Sequence, residues 1–129
     1  MAGLGDSFVL PKPGQETEHL WVLITNPDPA THEAIMVNVT SQRSHSDTTT
    51  ILNVGDHPFV RKPSVIFYAD ARTVDTRTLD AALQRGAYNA HVAFQADVIL
   101  KIQAGLVASK FTPKKIKTAF ATYAAAGLS

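Results

Sequence analysis

The side chains able to move a proton or hold an anion near neutral pH are few in this sequence, and most fall in its first half. His19 heads an apolar run, and imidazole is the side-chain type best suited to act as base or acid there. Arg43 supplies a guanidinium whose planar fork matches phosphate oxygens. His57 sits in Gly55-Asp56-His57-Pro58-Phe59, a turn signal with an aspartate beside the imidazole, and Arg61 and Lys62 follow shortly after. These types suit acid–base chemistry next to a phosphate. Each also fits a structural role: a strand-end histidine satisfied by a carbonyl, a rigid His-Pro turn, and a solvated rim of cations.

Composition narrows the field. The chain has no cysteine, which excludes disulfides, thiolate metal sites and cysteine nucleophiles. His32, His45 and His91 share no paired spacing on one helix, so no metal site is expected. Charge is uneven: residues 1–100 hold seven Lys/Arg against eleven Asp/Glu, whereas residues 101–129 hold five lysines and no acid. A basic tail including Lys114 and Lys115 suits either a phosphate backbone or a solvated helix surface.

The elements that must position these groups follow from hydrophobic pattern. At 129 residues one domain is expected, 1–129, with strands over 5–74 and a helical C-terminal part over 75–129. Residues 5–10 read as an opening strand, broken by Pro11-Lys12-Pro13-Gly14, and Gln15 to Glu18 read as a polar surface loop. Residues 19–25 (HLWVLIT) and 34–40 (AIMVNVT) read as strands that pair antiparallel, and 50–54 and 64–68 as shorter ones. Trp21 and Phe67, inside apolar runs, are expected in the core. No helix-length segment separates these strands, which favours a closed or half-closed barrel.

Beyond Asp75 the period changes to helical. Residues 76–86 offer a threonine cap and a terminal glycine. A second helix is expected over 91–107, and a third starts at Thr112-Pro113 and frays over 124–127. The first eight residues lack a basic n-region and a cleavage site. No apolar stretch approaches the roughly 18 residues of a membrane span, so a cytoplasmic location with no membrane contact is expected.

The order of segments carries a resemblance. Gly5-Asp6, the strand from His19 to Thr25, the strand ending Val39-Thr40-Ser41-Gln42, and the later Tyr68-Ala69-Asp70 together resemble the PemK/MazF-like toxins, over about residues 5–79. That family opens with a Gly-Asp strand, continues with a His-Arg-Pro-led strand and one ending in a Thr-Thr-Gln-like element, and later has an Ala-Asp element. The resemblance implies a small SH3-like barrel, usually a homodimer paired with an antitoxin protein. It also implies cleavage of single-stranded RNA by attack of the ribose 2′-hydroxyl, without metal or organic cofactor.

Carried onto this sequence, the strand-end threonine is Thr40, followed by Ser41 and Gln42, while the family's arginine falls on Leu20. His19, Arg43 and His57 are the nearby groups able to replace it, so the implied catalytic set is His19, Thr40, Arg43 and His57. The implied RNA-binding set is Ser41, Gln42, Arg61, Lys62, Lys114 and Lys115. A non-catalytic barrel that binds nucleic acid or a protein is the alternative. The tail beyond His91 exceeds what the family core needs, which suits a dimer face or a docking helix.

Overall fold

The structure, a computed structural model, describes residues 1–11 and 18–129; the expected break at 12–14 and polar loop at 15–17 lie outside the described residues. Strands β1 (Ser7–Pro11), β2 (Glu18–Leu23) and β3 (Glu33–Ser41) form an antiparallel meander, followed by β4 (Ile51–Leu52), β5 (Ser64–Ile66) and β6 (Arg72–Asp75). Helix α1 (Thr76–Gln84), strand β7 (Asn89–His91) and helices α2 (Ala96–Ala108) and α3 (Lys114–Ala125) complete the order.

The long strand β3 is central because one face carries the branched Ile35, Val37 and Val39 and the other Ala34 and Met36, and both faces are covered. One edge pairs with β2 in the register Leu20↔Val39 to Leu23↔Met36. The other edge is shared by two strands end to end: β5 opposite Val39 to Ser41 and β6 opposite Glu33 to Met36. A turn of 3-10 helix at Tyr68–Asp70 separates β5 from β6. Its Asp70 accepts from the Asn38 amide and pairs with Arg72, whose guanidinium lies 5.1 Å from the centre of the Trp21 ring.

Strand alternation sends Leu20, Val22, Ile24, Ile35, Val37 and Val39 into one core, where Ile102, Leu106, Ile116 and Phe120 of α2 and α3 close over them. The intervening Trp21, Leu23, Ala34 and Met36 pack with Phe8 and with Leu79 of α1. Each fully buried Leu or Ile contributes about 2 kcal/mol of transfer free energy, so this two-sided sheet has ample apolar driving force.

Several local expectations are corrected. The sheet is not closed. Among the described residues its order is β4-β5-β3-β2-β1-β7, with β6 also on β3, and the β4 and β7 ends do not pair. Residues 89–91 form an edge strand on β1 instead of opening a helix, because Ser7, Phe8 and Val9 present an unfilled ladder to them, and α2 starts only at Ala96. The cap of α1 is Asp75, whose carboxylate accepts from the Arg77 amide, and not a threonine. Phe67 is 44% exposed and outside the core, since the chain turns into the 3-10 segment there. The C-terminus is pinned instead of frayed: Gly127 takes a positive φ of 77°, Leu128 donates to Tyr123 O, and its own carbonyl accepts from Asn26. Among the described residues no helix is long and apolar enough to cross a membrane.

Candidate functional site

At one end of the sheet, three adjacent strands bring polar groups side by side. The β2–β3 ladder ends at Leu20↔Val39, and its next antiparallel step sets His19 opposite Thr40. Thr40 and Ser41 are themselves paired with Val65 and Ser64 of β5. His19, Thr40, Ser41 and Ser64 line a groove of about 320 Å³ together with Arg43, Phe59, Arg61 and Lys62.

The loop geometry explains how the cations reach that groove. Beyond β3, the Gln42 amide donates to Pro63 O, and Arg43 and Ser46 form a reciprocal turn, Arg43 N to Ser46 Oγ at 2.7 Å and Ser46 N to Arg43 O at 3.1 Å. This turn continues into Asp47, which accepts from Ser109 Oγ at 2.6 Å and so ties the loop to the end of α2. Arg61 and Lys62 precede Pro63 at the entrance of β5, where the Ser64 hydroxyl donates to Lys62 O. Three basic side chains, Arg43, Arg61 and Lys62, thus line the groove, and none of the described residues lining it is a carboxylate. Basic side chains lining one groove favour an anion there over a cation.

His57 goes elsewhere. It is buried in a neighbouring cleft of about 560 Å³, lined also by Val54, Asp56, Val92 and Gln95, with Arg61 forming the wall common to both. Its Nδ1 accepts from the Phe59 amide at 3.0 Å, which puts the ring proton on Nε2, where it is donated to Val92 O at 2.6 Å. Ser7 Oγ also donates to Val92 O, so its 3.4 Å approach to His57 Nε2 is not the pairing of a nucleophile with a base. Asp56 does not orient the imidazole; its carboxylate accepts from the Asn53 amide and closes the turn. The ring stacks on Phe94 at 4.2 Å and lies 4.9 Å from His91. Burial, assisted by His91 and opposed by the Val92 bond, holds the His57 pKa below its ordinary value.

Of the residues marked by the sequence, His19, Thr40, Ser41, Arg43, Arg61 and Lys62 therefore share one concavity. Gln42 is exposed beside it and does not line it. Lys114 is exposed at the start of α3, and Lys115 lines a separate groove with Asp70 and Arg72, so the basic tail is not part of the concavity. Leu20 is fully buried in the core formed with α2 and α3, one residue from His19 but turned to the opposite face.

Comparison with known proteins returns no matching family model and no matching curated relative. Function therefore rests on the groove itself. Phe59 and Ser64 are groove residues that sequence reading did not single out; the Pro58-Phe59 step beside a basic pair was the available signal for the first, and none pointed to the second. Among the described residues no three His, Asp or Glu side chains gather as a metal site.

Proposed function

We propose that this chain is a divergent small-barrel protein of the PemK/MazF kind that binds single-stranded RNA in the basic groove and cleaves it without a metal. The observation that carries this reading is the lining of one concavity by His19, Thr40, Ser41, Arg43, Arg61 and Lys62, with no carboxylate among the described lining residues. In this reading the open order β4 to β7 is a partly opened version of the family's closed sheet, with the His57–Val92 bond drawing its two ends together.

Seven of the groove residues have a role in this reaction. Arg43 and Arg61 hold the scissile phosphate and stabilise its developing charge. His19 takes the proton of the ribose 2′-hydroxyl as O2′ forms a bond to phosphorus and the P–O5′ bond breaks. The departing 5′ oxygen takes its proton from Lys62, since an arginine cannot release one, leaving a 2′,3′-cyclic phosphate and a free 5′-hydroxyl. Thr40 and Ser41 donate to non-bridging oxygens, and Phe59 offers a ring on which a base stacks. An RNA substrate places the work in the cytoplasm, and an antitoxin would cover the groove with an acidic segment.

Incubation of the purified chain with mixed-sequence single-stranded RNA in chelator tests this reading. Cyclic-phosphate ends lost in His19→Gln support it; intact RNA with undiminished binding converts it to the second reading. That second reading, a non-catalytic RNA-binding module, is favoured by the burial of Leu20 where the family's arginine falls and by the engagement of both His57 nitrogens. Absence of both binding and cleavage removes both.

A further inference from the structure

The buried ring of His57 has both nitrogens engaged, and its surroundings accept one protonation state only. Nδ1 accepts from the Phe59 amide at 3.0 Å while Nε2 donates to Val92 O at 2.6 Å, which requires a neutral ring with its proton on Nε2. A second proton would put an N–H on Nδ1 against the Phe59 N–H. Two donors would then stand face to face.

The bond that would break belongs to the groove. Phe59 lines the basic groove, and Arg61 lines both that groove and the His57 cleft. Between them Val60 is buried in the core and donates to His57 O at 2.9 Å, closing a turn over residues 57–60. Val60 therefore stays anchored when the imidazole lets go. The parts free to move are Phe59 on one side and the exposed Arg61 and Lys62 on the other.

The groups around the ring do not replace that bond. From its own loop, Asp56 is committed to the Asn53 amide, and Arg61 is a further cation. From β7, His91 lies 4.9 Å away ring to ring, with its Nδ1 accepting from the Val92 amide, and it shares a separate cleft with Asp6 and Asp80. Strand β1 presents the Ser7 hydroxyl, which already donates to Val92 O, and the following segment presents Phe94, stacked at 4.2 Å, and Gln95. Burial holds the His57 pKa below its ordinary value against the Val92 bond, with His91 adding to the effect, so the change falls on the acid side of neutrality.

We propose that His57 is an acid-released latch on the groove: taking up a proton frees the Phe59 amide, lets residues 58–62 shift about Val60 and lowers the affinity of the groove for single-stranded RNA. The direction of the effect is diagnostic. Without a latch, acid would raise the affinity, since every proton gained adds positive charge against the phosphates. The ligand in this proposal rests on the RNA reading, whereas release of the loop is read without RNA.

Amide NMR of the full chain from about pH 7.5 to about pH 5 reads the latch, and anisotropy of a labelled single-stranded RNA at constant ionic strength reads the groove. In wild type the Phe59 amide should lose its exchange protection in step with protonation of His57, while amides in the middle of β3 stay protected. RNA affinity should fall about tenfold over the same step. His57→Gln, which gains no proton there, should show an affinity that holds or rises in acid, and His91→Gln should keep the fall. Circular dichroism separates local release from unfolding of the whole chain. RNA bound at no pH would remove the RNA reading and, with it, the effect on affinity. With RNA bound at pH 7.5, the latch alone is overturned by a wild-type affinity that holds or rises in acid, by a fall that persists in His57→Gln or vanishes in His91→Gln, by a Phe59 amide still protected once His57 is charged, or by a fall that coincides with loss of the whole fold.

Discussion

His57 donates its Nε2 proton to Val92 O at 2.6 Å, joining the loop that follows β4 to the residue that follows β7. These are the two ends of the sheet order, so one buried imidazole spans the gap that strand pairing leaves open. The same ring accepts from the Phe59 amide, which fixes the segment leading to Arg61 and Lys62 of the groove.

This arrangement makes stability depend on pH. Burial lowers the folded-state pKa of His57 from its ordinary 6.5, so the unfolded chain binds the extra proton more readily. The contribution is fully present above about pH 6.5 and is lost as pH falls through the folded value, because a protonated Nδ1 cannot accept from Phe59. Urea unfolding at pH 7.5 and pH 5 should show this decline, and His57→Gln should flatten that part of the profile while lowering stability at pH 7.5 by roughly 1–3 kcal/mol. An unchanged slope in the variant would assign the pH dependence to other groups.

Gly105 faces the buried pair Tyr68 and Thr50, whose hydroxyls lie 2.6 Å apart, and the Tyr68 hydroxyl donates on to Ile102 O. A methyl group at this position would overlap both hydroxyls. Gly105→Ala should therefore destabilise by about 3 kcal/mol, by forcing α2 off the sheet or breaking the pair, as read from the urea midpoint. A cost below ~0.5 kcal/mol would contradict the packing of α2 described above.

Leu20→Arg restores the residue type of the resembling family, yet in this chain it would push a charge into the core against Val39 and the helices. A loss of about 4 kcal/mol or more, or failure to fold, is the expected outcome. A stable, folded Leu20→Arg protein would show that β2 can rotate its faces, and His19 would then lose its place in the groove.

In the groove, Arg43→Gln, Arg61→Gln and Lys62→Gln should each weaken binding of single-stranded RNA and lower the salt slope by about 0.7, one phosphate contact apiece. Lys114→Gln and Lys115→Gln, on α3, should leave that slope unchanged. Fluorescence anisotropy across a salt series measures both. Equal effects from the two sets would move the binding surface onto the helices.

Proton transfer by His19 predicts a drop in cleavage of about 10²- to 10⁴-fold in His19→Gln with little change in RNA affinity. Single-turnover assays separate the two quantities. An equal loss of binding and cleavage would make His19 a binding residue instead of a base.

What the sequence determined by itself is local. The apolar runs at 19–25 and 34–40 were strands, the 76–86 segment was a helix closed by Gly86, and the absence of cysteine limited the chemistry to oxygen and nitrogen groups. The groove was partly legible too, because His19, Thr40 and Ser41 stand at strand ends that a hairpin must bring together. Only the tertiary structure decided that 89–91 join the edge of β1, that β5 and β6 divide one edge of β3, and that His57 links the sheet ends while the α3 lysines lie apart from the groove. Those outcomes rest on partners up to 85 residues distant in the chain, as Ser7 is from Val92. Side-chain periodicity over ten residues carries no information about which edge is left unfilled, and it is the unfilled edge and the buried donor that select the distant partner.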